Sequence, residues 1–165
     1  NRRAFQELLV TEHARVVRGD VPAGLFVVDI DRFKSINDRY GHAIGDDVLV
    51  AVVERLSEGL RASDVVARWG GEEITVLAPG IRSRRALEQF AERIRTLVGD
   101  TPLTAAATAT AIPVTVSVGG TLLDGSQSPQ AAIRIADDAM YDAKRARDTS
   151  VVVLPPRRTL RLESA

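Results

Sequence analysis

The sequence predicts one α+β domain of ferredoxin-like kind, a mostly antiparallel sheet with helices packed on its faces. Three observations predict it. Short runs rich in Val, Ile and Phe alternate with longer segments of helical period, in the order α-β-α-α-β-β-α-β-α-β. Two of the strand-like runs are separated only by Gly70-Gly71-Glu72-Glu73, so they form a hairpin and impose antiparallel pairing. The length, 165 residues, suits a single domain that buries roughly 68–70% of its unfolded surface.

The first element is an amphipathic helix over about Arg2 to Arg18, with Phe5, Leu8, Leu9, Val16 and Val17 on one face and Gly19 as its stop. Ala23 to Ile30 is short, β-branched and aromatic, as a buried strand is. Asp31 to Tyr40 has helical spacing, GHAIGD breaks it, and Asp46 to Leu60 resumes as a helix with Val48, Leu49, Val52, Val53 and Leu56 facing inward. Val65 to Trp69 and Ile74 to Leu77 are the hairpin strands, followed by a helix from about Ser83 to Val98. Thr101 to Ala111 is Thr/Ala-rich and poorly specified, and Val114 to Val118 is a clear strand. A long helix from about Pro129 to Arg147 leads to a terminal strand, Ser150 to Leu154. Pro155-Pro156 ends regular structure, so the reading is a domain over 1–154 and a Pro/Arg-rich tail or linker over 155–165.

Lys+Arg and Asp+Glu both number 22, and a net charge of zero argues against nucleic acid or anionic lipid as a primary partner. The absence of Cys excludes disulfides, thiolate ligands and cysteine nucleophiles; His13 and His42 have no zinc-ligand spacing. Any metal must therefore be held by carboxylates. The longest apolar run, Val48 to Val53, is far short of the roughly 20 residues a membrane span needs, and no signal segment opens the chain. A soluble, intracellular piece is expected, and Asn1 in place of Met predicts a domain of a larger protein. Twenty of the basic residues are Arg; the two lysines, Lys34 and Lys144, are rare enough to suggest a specific use.

Asp29 and Asp31 flank the end of the first strand with one residue between them, so both carboxylates leave on one face and suit a hard cation; the plainer reading has Asp31 capping the next helix. Glu72 and Glu73 add two acids at a hairpin tip that needs none, and its glycines admit a phosphate or another backbone. Asp29 with Glu72 would hold Mg²⁺ while leaving ligand positions for substrate phosphates; the alternative is a solvated turn. A lysine at Lys34 suits a phosphate as a point charge. Asn37 and Asp46 together could read guanine, since a carboxylate accepts from N1–H and the 2-amine while an amide both donates and accepts; alternatively the two are helix caps.

The strings DIDRFKSINDRYGHAIGDDVL from Asp29, RASDVVARWGGEEI from Arg61, VTVSVG from Val114 and MYDAK from Met140, in this order, resemble the GGDEF family of diguanylate cyclases over nearly the whole chain to Leu154. The resemblance implies a fold related to the adenylyl cyclase and polymerase palm. It implies condensation of two GTP into cyclic di-GMP with release of two pyrophosphates, by a homodimer in the bacterial cytoplasm, including the cytoplasmic part of a membrane-anchored parent. It further implies Mg²⁺ or Mn²⁺, two ions per site, on Asp29, Glu72 and the Ile30 carbonyl. Phe33 and Lys34 fall where the triphosphate is held, and Lys144 falls on the second phosphate-binding lysine. Asn37 and Asp46 match the guanine readers, and His42 matches a neighbouring nucleotide contact. Glu72, or else Glu73, is the candidate base for the 3′-hydroxyl.

Arg61 and Asp64 occupy the register of the family's RxxD product-inhibition site, with Arg93 as its third member; without that register the pair reads as a surface salt bridge. Three departures stand out. Ile74 replaces the usual Phe, keeping apolarity at an expected core position. Asp148 replaces a phosphate-binding Arg, with Arg147 beside it as a substitute. The wide turn that precedes the domain in the family is absent before Asn1, which predicts an incompletely folded first helix. Ile74 and Asp148 favour a second reading, a non-catalytic module that holds GTP or cyclic di-GMP for a neighbouring domain. A two-metal enzyme acting on another nucleotide would need a different base reader than Asn37 and Asp46.

Overall fold

The structure, a computed structural model, describes residues 1–104, 111–146 and 151–153. The central strand β1 (Ala23–Ile30) is buried along its whole length, which its unbroken apolar run Leu25 to Val28 demands. It pairs antiparallel with β3 (Glu73–Pro79) on one side and β6 (Val116–Leu123) on the other. Strand β2 (Val65–Gly70) adds to β3, and β7 (Val151–Val153) adds to β6 in parallel, giving the order β2-β3-β1-β6-β7. Helices α2 (Phe33–Tyr40) and α3 (His42–Gly59) connect β1 to β2, and α4 (Arg84–Gly99) lies between β3 and β6. The unit is therefore the expected ferredoxin-like βαββαβ core, extended by α5 (Pro129–Arg145) and β7. A short pair, β4 (Leu103–Thr104) and β5 (Ala111–Ile112), borders the poorly specified stretch, whose residues 105–110 lie outside the described ones.

The period-two alternation of β1 divides the core. Phe26, Val28 and Ile30 join α2, α3 and α4, with Phe26 stacked on Phe90 at 5.1 Å between ring centroids. Ala23, Leu25 and Val27 face α5 and the first helix, α1 (Arg2–Val17), meeting Phe5, Leu9, Ala136 and Met140. Ile74 is fully buried in the first of these clusters, so the departure from Phe leaves an apolar core position apolar.

Several expectations need correction. Helix α1 is complete from Arg2, because Asn1 Oδ1 accepts the Ala4 N–H and Phe5 and Leu9 are buried. Its buried stripe is Phe5, Leu9, Glu12 and Val16, whereas Leu8 and Val17 are exposed. Only Gly41, at φ +86°, breaks the helical stretch after β1: α3 starts at His42 rather than Asp46. Asp46 is thus inside α3 and Asn37 inside α2, so neither is a cap. Asp31 does not cap α2, whose N-cap is Arg32; its carboxylate accepts the hydroxyls of Thr115 (2.6 Å) and Ser117 (2.7 Å). Strand β6 runs past Gly119 and Gly120 to Leu123, and at Gly119 α5 occupies the space a side chain would fill. Arg147, Asp148 and the tail from Leu154 onward lie outside the described residues.

Gly119 fixes how closely α5 approaches the sheet. A Cβ there would overlap the Met140 nitrogen and the Ala136 oxygen and lie 2.6 Å from Met140 Cα, all backbone of a packed helix. Gly119→Ala should therefore cost about 2–3 kcal/mol, read as a lower midpoint in chemical denaturation with an unchanged slope. A midpoint equal to that of the unsubstituted chain would show that α5 shifts freely on β6.

Candidate active site

At the end of β1 four elements converge. Asp29 is 4% exposed, on the α5 side of the sheet, and pairs across the strands with Glu73 of β3 and Ser117 of β6. Gly70 pairs with Glu73, so the hairpin loop is just Gly71 and Glu72. Gly71 adopts φ +48°, and its carbonyl accepts the Arg68 Nε–H at 3.0 Å. Glu72 alone therefore stands at the tip, half-buried, and Glu73 belongs to the strand. The Ile30 N–H donates to the Glu72 carbonyl at 3.4 Å, which keeps the tip against the end of β1.

Lys144, at the end of α5, brings its Nζ to 2.6 Å from Asp29 Oδ1, a close ion pair. The Asp29 carboxyl is pushed up from 3.8 to about 6, because burial, with the charges of Glu72 and Glu73, outweighs the downward pull of the Lys144 ammonium. Glu73 is also raised, by burial first and then by the Asp137 carboxylate; Asp137 is raised by burial and by Asp138. Asp29, Glu73, Asp137, Asp138 and Lys144 line a cleft of about 590 Å³ with Tyr141 and Asp142. Asp137 and Tyr141 were not singled out from sequence, yet they stand seven and three residues before Lys144, and helical periodicity alone puts all three on one face.

The donor set fits a hard cation. The expected donors are the Asp29 and Glu72 carboxylates and the Ile30 carbonyl, and of these buried Asp29 is already matched to a positive charge, the lysine ammonium. Among the described residues no group of three or more His, Asp and Glu side chains could hold a metal by itself, so part of any coordination shell must come from elsewhere.

Phe33 and Lys34 form the first turn of α2, Phe33 half-buried against the core and Lys34 exposed. Arg32 precedes them at φ +54°, a conformation rare for a residue with a side chain. Further along α2, Asn37 turns toward α3, and its Oδ1 is buried without a hydrogen-bond partner. Asp46 and His42 are exposed on α3 next to it. A second group lies at the opposite end of β2: Asp64 accepts the Arg61 backbone N–H at 2.9 Å, and Arg93 donates to the Gly59 carbonyl at 2.6 Å. Asp64 Oδ1 is buried and unpaired, and the Arg61 guanidinium does not bridge to it, so the surface salt bridge is not formed. From Asp64 to Gly70 the strand spans on the order of 20 Å, which separates this group from the Asp29 cleft.

The family model described as "Diguanylate cyclase, GGDEF domain" matches residues 1–150. The chain belongs to the GGDEF family. The response regulator PleD of Caulobacter vibrioides is 39% identical over 153 residues, 92% of this chain and 34% of PleD. The diguanylate cyclase DgcP of Pseudomonas aeruginosa is 41% identical over 146 residues, 88% of this chain and 21% of DgcP. The chain thus spans about a third or less of these relatives. Among solved structures, the GGDEF domain of YfiN (TpbB) from Pseudomonas aeruginosa matches with a TM-score of 0.86 at 33% identity, covering 93% of this chain and 94% of that one. The GGDEF domain of DgcB from Caulobacter crescentus, in complex with c-di-GMP, matches with a TM-score of 0.84 at 30% identity over 93% and 87%. Divalent metals are general to this family of nucleotidyltransferase-type cyclases, and the fold is the palm-like α+β fold its members share. Among the described residues no helix is long and apolar enough to cross a membrane.

Because burial makes the ionised Asp29 costly in this GGDEF domain, Asp29→Asn should stabilise the metal-free chain at neutral pH, by on the order of 1–2 kcal/mol. Denaturation in EDTA measures it. A less stable variant would mean that the ion pair with Lys144 outweighs the burial.

Proposed function

We propose that this GGDEF domain is a diguanylate cyclase that joins two GTP into cyclic di-GMP and releases two pyrophosphates, acting as a two-fold dimer. The observation that carries this reading is the convergence of buried Asp29, the Glu72 tip and Lys144 at the end of β1, the strand that leads into α2 with Lys34 and Asn37. Lys34 and Lys144 hold the phosphates as point charges, aided by the Phe33 and Lys34 amides at the start of α2. Asn37 and Asp46 read the guanine edge, with His42 as a neighbouring contact. Asp29, the Ile30 carbonyl and Glu72 hold Mg²⁺ or Mn²⁺, two ions per site. Bound metal supplies charge neutralisation on the phosphates and acidifies the 3′-hydroxyl.

Glu72, or else Glu73, takes the proton of that hydroxyl. Each 3′-oxygen then bonds to the α-phosphorus of the other nucleotide, and the bond to pyrophosphate breaks. Because one chain offers one such slot, two chains must face each other for both bonds to form. Asp148, standing where the family has a phosphate-binding Arg, favours the second reading, a module that binds nucleotide without turnover. Incubation of the pure chain with GTP and Mg²⁺, followed by analysis for cyclic di-GMP, separates the two. Turnover per chain should rise with protein concentration, and Glu72→Gln should abolish it with the fold intact; binding of GTP with no product would establish the module.

Product inhibition at Arg61, Asp64 and Arg93 is the regulatory part of this proposal, supported by the unpaired Asp64 Oδ1 and the unbridged Arg61 guanidinium. Guanidinium groups there fork to phosphates of the product and stack on its bases. Arg61→Ala should weaken cyclic di-GMP binding about 10- to 100-fold, corresponding to roughly 1.5–3 kcal/mol, and leave GTP turnover without product unchanged. Calorimetry giving equal affinities for the two proteins would exclude this site.

A further inference from the structure

Helices α2 and α3 meet at a single residue, Gly41, whose N–H donates to the Asn37 carbonyl at 2.8 Å while its carbonyl accepts the Gly45 N–H at 3.1 Å. These bonds lock the Asn37 turn of α2 against the first turn of α3, with Gly45 buried between them. Gly45 has ordinary helical backbone, so nothing about its φ calls for glycine. In a helix interior glycine is worse than alanine by roughly 0.5–1 kcal/mol, so its presence needs another reason. The space around it supplies one. A Cβ at this position would overlap Asn37 Oδ1 outright and lie 2.9 Å from Asn37 Cγ and 3.3 Å from Phe33 Cζ. The Asn37 oxygen occupies that space, buried and without a hydrogen-bond partner, so the recess fixes which way the amide points.

We infer that Gly45 is a specificity-determining positioning residue: its missing side chain is the recess that holds the Asn37 amide in the orientation in which it meets a guanine edge. The inference rests on the reading of Asn37 as a base contact. Gly45 touches no nucleotide itself. It acts through Asn37, whose amide is the mobile end of a side chain and would be the part that yields to a methyl group at position 45. Alanine there would keep or improve the helix while turning Asn37 away, so base selectivity would fall in a chain that is at least as stable.

The probe is 3′-deoxy-GTP, which lacks the hydroxyl that attacks and so binds without condensing, compared with 3′-deoxy-ATP. Affinities and Tm are measured for the unsubstituted chain, Gly45→Ala, Asn37→Ala and the double variant. Gly45→Ala should weaken 3′-deoxy-GTP about tenfold or more, change 3′-deoxy-ATP little, and leave Tm equal or higher. In the Asn37→Ala background the same substitution should have no further effect on binding. If Asn37→Ala weakens 3′-deoxy-GTP but Gly45→Ala does not, the inference about Gly45 is overturned. If Asn37→Ala binds both nucleotides as the unsubstituted chain does, the guanine reading itself falls, and the inference with it. Should Gly45→Ala fail to fold, the double variant decides: recovery of the fold on removing the amide supports the steric coupling, and continued failure overturns it.

Discussion

The register of β1 between β3 and β6 is the constraint on which the rest depends. Because Asp29 lies opposite Glu73 on one side and Ser117 on the other, a carboxylate at the last turn of the pleat faces α5. A slip of one residue would send Asp29 into the apolar cluster of α3 and α4 and turn Val28 toward Lys144. The fully buried strand makes such a slip prohibitive, with Leu25 and Val27 fitted to α1 and α5 and Phe26 and Val28 fitted to the other helices. Core packing thereby sets the geometry of the polar end. Asp31, two residues on, is held by Thr115 and Ser117, and this tethers the start of α2 to the same sheet end.

The candidate site is paid for in stability. Asp29, Glu73 and Asp137 all have carboxyls raised by burial, and one ammonium, that of Lys144, stands among them. A chain selected for stability alone would not gather these charges in one cleft. The buried oxygens of Asn37 and Asp64 belong to the same pattern: among the described residues they and Asp29 Oδ1, which faces Lys144, are the buried side-chain oxygens without a hydrogen-bond partner.

Much of this could be read from the sequence, and the failures have physical causes. Strand β1, the hairpin and α4 are legible because apolar period is a local signal, and Asp29 and Glu72 stand out as acids at a strand end and a turn, whereas Lys144 enters the site only through the family resemblance. The sequence pattern shortens helix α3 because Gly45 looks like a breaker, whereas a glycine in a helix interior can be there for a neighbouring side chain. The same pattern ends strand β6 early, at Gly119 and Gly120. The outward turn of Leu8 and Val17 in α1, and the burial of Glu12 beside Arg15, depend on which side of the helix meets α5 and β2, which no local pattern encodes. Helical period places Asp137 on the face of Lys144, but its nearness to Asp29 and Glu73 follows only from the packing of α5 on the sheet.

Trp69, the sole tryptophan of the chain, sits just before Gly70, with the Arg2 guanidinium 4.4 Å from its ring centroid and the Phe5 ring edge-on at 6.1 Å. The indole thus joins the first turn of α1 to the strand that carries the Gly71-Glu72 loop. Its emission depends on the nearby cation and on solvent access, so a single wavelength measured on the unlabelled chain reports whether the first helix and the glutamate-bearing loop move together. The domain carries its own optical gauge of its entry helix.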